Sequence, residues 1–259
     1  LFYTNLIVNN IINPSSKIFK LYHLYIYPLK LNVVLPSQNF RGMSYGEWAS
    51  VWSQWLVSED PTYNGEDILF LRGNVNYRPI GNKKDGPQYL DPNAIYDKSG
   101  NNGETIFENT AILIPILTSD YSLGDFYNGR KITTIPDLRY IANKDTDGGS
   151  IWARIMKPGE KNQSIVPNLL DYRFESPLYL LSVPKNSKLR KKMDAPPKIG
   201  NYYAITVGYF IIIKTLSIGT YRLLFGGSNG NAYHTNAVVD IKVIKGKRDK
   251  IVDKSKYIK

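Results

Sequence analysis

Few residues in this chain have the types and spacing that chemistry requires. There are two histidines, His23 and His234, and no cysteine. Neither histidine lies in an H-x-x-x-H or H-E-x-x-H spacing, so a histidine metal site would need two distant segments to meet. The absent cysteines exclude disulfides, thiolate zinc sites and cysteine nucleophiles. His234, in "NAYHTN", is a candidate loop base with Asp240, but no G-x-S-x-G nucleophile turn accompanies it. In "NKDTDGG", residues Asn143, Asp145 and Asp147 stand at i, i+2 and i+4, the opening of a calcium loop. The twelfth position is Arg154, where that loop needs a bidentate glutamate. Asp145 and Asp147 are therefore weak calcium candidates, and a plain Asp/Gly turn is the expectation.

Glycoside hydrolysis needs two carboxylates facing one cleft. Glu47, Asp60, Glu66, Asp67, Glu104, Glu108 and Asp120 are available, and nothing in their spacing selects a pair. The 20 tyrosines and four tryptophans would suit a sugar-binding surface, although AT-rich codon usage explains tyrosine equally well. Asn162 opens the single N-x-S acceptor, which an Asn-rich chain contains by chance. The sequence names no catalytic residue and no cofactor.

The elements that would hold these residues are more legible. With 259 residues, 42% hydrophobic and 21% charged, the chain is globular in composition and long enough for one large β domain. No apolar run reaches a transmembrane length. The start "LFYTNLIVNNII" lacks the basic head and cleavage site of a signal peptide. The stretch "SYGEWASVWSQWL" holds three of the four tryptophans. Ser44 and Glu47 have the S-x-x-E spacing of a capping box, so Ser44 should cap a helix. Trp48, Val51, Trp52, Trp55 and Leu56 fall on one helical face, opposite Glu47, Ser50, Ser53 and Gln54. The reading favoured here is a structural helix stapled to a core by its indoles, ahead of an aromatic ligand platform.

"DILFLRGNV", "TAILIPILTSDYS", "SIWARIM" and "YRFESPLYLLSVP" read as strands, and "IPDLRYIANKD" as a short helix. "YYAITVGYFIIIKTL", "YRLLFGG" and "AVVDIKVIK" follow, the last alternating cleanly. A polar Gly/Asn/Asp/Pro segment over 76–104 is a long loop. The expectation is a mainly β fold: an antiparallel β-sandwich or jelly roll with one short tryptophan-rich helix. The expected domains are an N-terminal arm or added strands over 1–35, a β-sandwich over 36–245 and a basic tail over 246–259. The net charge of +11 sits at the ends. Residues 242–259 carry net +6 and residues 1–35 net +3, which leaves the body nearly neutral. Such a tail can meet nucleic acid or an acidic partner.

The ordered set "SYGEWASVWSQWL", "DILFLRG", "TAILIPILTSDYS", "VGYFIIIKTLSIGTYRLLFGG" and "AVVDIKV" resembles an uncharacterised family of mostly exported bacterial proteins. That family has a W-rich "YGEW" helix, a "FL-G" strand and a terminal hairpin ending in "FGG". The resemblance covers residues 36–243 and implies a β-rich body, with no assigned activity or catalytic residues. Family members usually carry two cysteines that this chain lacks. Their absence points to assembly in a reducing compartment, as in a large DNA virus or its host. The expected function is a non-enzymatic structural component of a larger assembly, of virion capsid or surface-layer type, with protein neighbours as partners. The alternative is a secreted carbohydrate-binding module or a glycan-active hydrolase.

Overall fold

The computed structural model describes residues 31–58, 68–77, 104–147, 149–160, 163–187, 198–229 and 233–246. Most of the N-terminal arm, most of the long polar loop and the basic tail beyond Gly246 lie outside these residues. The described body begins at Leu31. Its elements run β1 (Asn32–Val33), α1 (Tyr45–Leu56), β2 (Ile68–Phe70), β3 (Asn74–Tyr77), β4 (Glu104–Phe107) and β5 (Ala111–Ser122). They continue with β6 (Phe126–Tyr127), β7 (Arg130–Lys131), α2 (Ile135–Lys144), β8 (Ser150–Met156), β9 (Gln163–Ser164) and a 3-10 turn (Leu169–Tyr172). The last are β10 (Arg173–Glu175), β11 (Tyr179–Val183), β12 (Gly200–Thr215), β13 (Gly219–Ser228) and β14 (Tyr233–Ile244).

The protein is mainly β. β12 is the spine of the first sheet. One of its edges pairs with β5 along ten residues, from Ala204 opposite Ser122 to Ile213 opposite Ile112. Its other edge is tiled in turn by β11, β10 and β1, all antiparallel. The second sheet runs β3, β14, β13, β8, β9, with β4 added to β14. β2 lies parallel to β5 and β4 parallel to β14. These two parallel pairs join sheets that are otherwise antiparallel, as expected; alternation in a sequence reports which face is buried, not the direction of the partner strand.

β5 is buried from Ala111 to Leu117 and β12 from Ala204 to Ile213, with no alternation. A strand reads this way when both its faces are covered. Trp52 of α1 meets Phe210 edge-on at 5.7 Å, which places the helix on one face. Leu117 marks the other. A Cβ added at Gly227 of β13 would lie 3.0 Å from Leu117 Cβ and 2.9 Å from the Ser150 carbonyl oxygen. Gly227 of "LFGG" thus lets the two sheets approach. α2 covers the same side as the second sheet, packing Leu138 and Ala142 on Ile205 and Val207. In contrast, β14 buries Ala237, Val239, Ile241 and Val243 and turns Asp240 and Lys242 to water. On that wet face Arg222 grips Asp240 bidentately at 2.7 and 2.8 Å.

The capping box forms as the spacing predicts. Ser44 Oγ accepts from Glu47 N at 3.3 Å, and Ser44 N donates to Glu47 Oε2 at 2.7 Å. The buried stripe of α1 is rotated from the expected one. It comprises Tyr45, Trp48, Ala49, Trp52 and Ser53. Val51 is 37% exposed, whereas Ser53 is 2% exposed. Trp55 is only partly buried, with its ring against Phe70. Gly46 is required where α1 crosses β10, because a Cβ there would collide with the Glu175 carbonyl. Tyr45 replaces part of a ladder. Val34 N donates to Ile212 O at 2.9 Å, but the return bond runs through the phenol. Ile212 N donates to Tyr45 Oη at 3.1 Å, and Tyr45 Oη donates to Val34 O at 2.9 Å.

α2, capped by Thr134, is the short helix expected from "IPDLRYIANKD". One further expectation needs correction. "DILFLRGNV" is not one strand. Leu71 N still bonds Leu113 O at 3.0 Å, but after Arg72 the chain crosses to the second sheet as β3. A Cβ at Gly73 would overlap the Thr235 hydroxyl, so the crossing is held close to β14.

Candidate functional site

One polar group lies inside the apolar faces of the first sheet. β5 carries Asp120 and β12 carries Thr206, directly opposite each other in register. β11 brings Tyr179 alongside, opposite Ala204, and α1 lowers Ser53 onto the same face. Thr206 Oγ1 donates to Asp120 Oδ1 at 2.5 Å, and Tyr179 Oη lies 2.7 Å from Thr206 Oγ1. Ser53 hydrogen-bonds both Asp120 and Tyr179. Ser176 steadies the base of the group: its Oγ accepts from Thr206 N at 3.0 Å.

Asp120 as a residue is exposed, yet protein surrounds its carboxyl closely enough for burial to raise its pKa above the ordinary carboxylate value. The water contact tempers the rise, and the hydrogen bonds from Thr206 and Ser53 oppose it. Tyr179 is pushed up by burial and by the neighbouring Asp120 charge, so its phenol stays protonated and can only donate or accept a hydrogen bond. The chemistry available is that of one carboxyl with three hydroxyls. It can hold a hydroxylated ligand or take up a proton.

The other acids named from the sequence are placed elsewhere. Glu47 caps α1, while Glu104 and Glu108 stand in and just after β4. Asp60, Glu66 and Asp67 lie outside the described residues, as do His23 and Asn162. His234 stands on β14 opposite Ser228. Asp240 is six residues along the same strand, roughly 20 Å away, and belongs to Arg222, so the pairing of His234 with Asp240 is corrected.

The calcium-loop candidates form the C-terminal end of α2. Asp145 accepts from Tyr121 Oη at 2.5 Å and from Tyr127 Oη at 3.3 Å. Asp147 accepts from Arg173 Nη2 at 2.8 Å, and the same nitrogen donates to Asn143 O and Thr146 Oγ1, each at 2.9 Å. The side chain of Asn143 turns instead to Glu175 at 2.7 Å. A guanidinium occupies the place where a cation would sit. Among the described residues no three His, Asp or Glu side chains gather to hold a metal.

Ser44, Glu47, Trp48 and Trp52 are where a structural helix puts them. Trp48 Nε1 donates to Phe40 O at 2.9 Å and Trp52 Nε1 to Leu71 O at 2.8 Å. Both indoles are committed to the fold, and only Trp55 offers a partly wet ring. The sequence reading missed Ser53, Thr206 and Tyr179. The available signal was that Asp120 is the single acid in β5 and Thr206 the one aliphatic hydroxyl in the apolar run 204–213. Among the described residues no helix is long and apolar enough to cross a membrane. Compared with known proteins, the chain matches no family model, no curated sequence and no solved structure.

Proposed function

We propose that the chain is a non-enzymatic component of a larger assembly, of virion or surface-layer type, whose β body docks onto neighbouring proteins. The observation that carries this reading is a set of large apolar side chains left in water on the α2 side of the first sheet. Leu180 and Tyr203 face each other across β11 and β12 and are 56% and 54% exposed. Phe126 and Tyr140, from β6 and α2, are exposed still further. Scattered apolar residues on a surface mean little, but several on one side of one sheet mark a contact surface. The basic ends give a second, salt-dependent means of attachment.

Sedimentation of the full chain at low and high salt tests this. Association that survives high salt is expected from an apolar surface. Monodisperse monomers under all conditions, together with turnover of a glycan substrate, would replace this reading with the enzyme reading. The second reading, a carbohydrate-binding module or glycan-active hydrolase, draws its support from the solvent-reached Asp120 among hydroxyls. It predicts oligosaccharide binding that is lost in Asp120→Ala.

A further inference from the structure

Resting on the assembly reading above, we propose that the outer edge of β11 at Leu180 accepts a β-strand, supplied by residues 21–29 of a second copy of this chain. The first observation is how that edge is treated. Among the described residues no strand pairs with β11 on the side away from β12. Instead the side-chain amide of Gln54 lies against it. Gln54 Nε2 donates to Ser182 O at 2.8 Å, and Ser182 N donates to Gln54 Oε1 at 2.8 Å. A carboxamide that both gives and takes on one residue reproduces a peptide group of a neighbouring strand.

This contact also fixes which backbone groups point outward. Both main-chain groups of Ser182 face Gln54, so in a strand the same groups of Leu180, two residues earlier, face outward too. The opposite strand agrees. Tyr203, in register with Leu180, gives its carbonyl to Leu123 N at 2.9 Å and so turns toward the β5 side. Beside the open Leu180 backbone lie the exposed side chains of Leu180 and Tyr203, an apolar seat for alternate residues of an added strand. An open edge next to exposed apolar side chains invites pairing. Gln54 closes only one of the two outward positions.

The occupant follows from where the chain enters the body. β1 pairs with the Ile213–Thr215 end of β12, and β11 with the Gly200–Ala204 end of the same edge. Leu180 of the same copy lies roughly 40 Å from Asn32 along β12. Tyr25, in the middle of residues 21–29, is seven residues from Asn32 and reaches roughly 25 Å at most. A second copy presents the same edge without that limit. Thirty residues precede Leu31, and 21–29 read "LYHLYIYPL", aromatic and apolar with no charged residue. Pro28 suits an edge-adding strand, where one missing N–H can face outward.

The test uses the full chain, which has no cysteine of its own. Copies carrying Leu180→Cys are mixed with copies carrying Tyr25→Cys and oxidised. A disulfide joining the two kinds of copy is expected, as is its loss when unlabelled wild-type chain is added in excess. Leu180→Pro removes an outward N–H that β12 does not use. It should leave the thermal midpoint within a few degrees and weaken self-association about tenfold or more. If the wild type associates but Leu180→Pro associates as tightly and no mixed disulfide forms, the edge proposal is overturned and the assembly reading survives. A disulfide found only within a chain carrying both substitutions overturns the second-copy occupant. If the wild type does not associate at all, both fall.

Discussion

Replacing Tyr45 by Phe removes one oxygen atom and tests the inserted phenol directly. The ring should stay, because it stacks on Phe174 with centroids 4.4 Å apart and planes 3° from parallel. Two backbone groups lose their partner at once. Ile212 N–H loses its acceptor and Val34 C=O its donor, and both residues are fully buried. An unsatisfied buried group costs about 1–3 kcal/mol. Part of this is offset, since a buried hydroxyl no longer has to be desolvated. The net loss should be about 2–4 kcal/mol, or roughly 5–15 °C in thermal midpoint for a body of this size. Urea unfolding gives the free energy, and amide hydrogen exchange locates it. The Ile212 amide should lose protection, whereas that of Ile211, paired with Ile114 of β5, should keep it. A loss below about 0.5 kcal/mol with Ile212 still protected would show that β1 and β12 pair directly once the oxygen is gone. The phenol would then be no part of the ladder.

Two other outcomes are expected. Trp52→Ala should cost about 3–5 kcal/mol in urea melts, since it opens a cavity and strands the Leu71 carbonyl. Val51→Ala on the wet side should stay within about 0.5 kcal/mol, and equal losses would contradict the rotated face. Asp120→Asn should be more stable than the wild type at pH 7. A carboxyl whose folded pKa is raised favours the fold while protonated and opposes it as pH rises through that value, so the advantage should vanish toward pH 4. An Asn variant that is less stable at pH 7 would mean that the charge itself is favoured.

What the sequence revealed followed the range of each signal. Ser44 and Glu47 satisfy each other three residues apart, so the cap was readable from spacing alone. The alternation of β14 was readable because one of its faces meets water. The unbroken apolar runs of β5 and β12 announced strands but not that α1 and the second sheet cover opposite faces. The stripe on α1 was misread at Ser53. Its hydroxyl looks like a surface group until Asp120 and Tyr179, more than 60 and 120 residues away, are brought to it. β2 and β3 looked like one strand although Gly73 interrupts the run, since a glycine inside a strand pattern signals a close backbone approach without saying to what. The crossing between them is set by contact with Thr235. The polar group at Asp120 needs four elements, and no spacing within one element could reveal it.

Because β12 is the shared partner of β1, β5, β10 and β11, the first sheet cannot close in the order in which it is made. Residues 111–122 leave the ribosome well before residues 200–215 that will shield them. At ordinary elongation rates the 93 residues from 123 to 215 take roughly 5–20 s. During that interval the apolar β5 segment and the tryptophan face of α1 have no permanent cover, and strand edges of this kind are where nascent chains misassociate. Translation speed between residues 122 and 215, and the supply of chaperones during it, should therefore govern how much soluble protein is recovered.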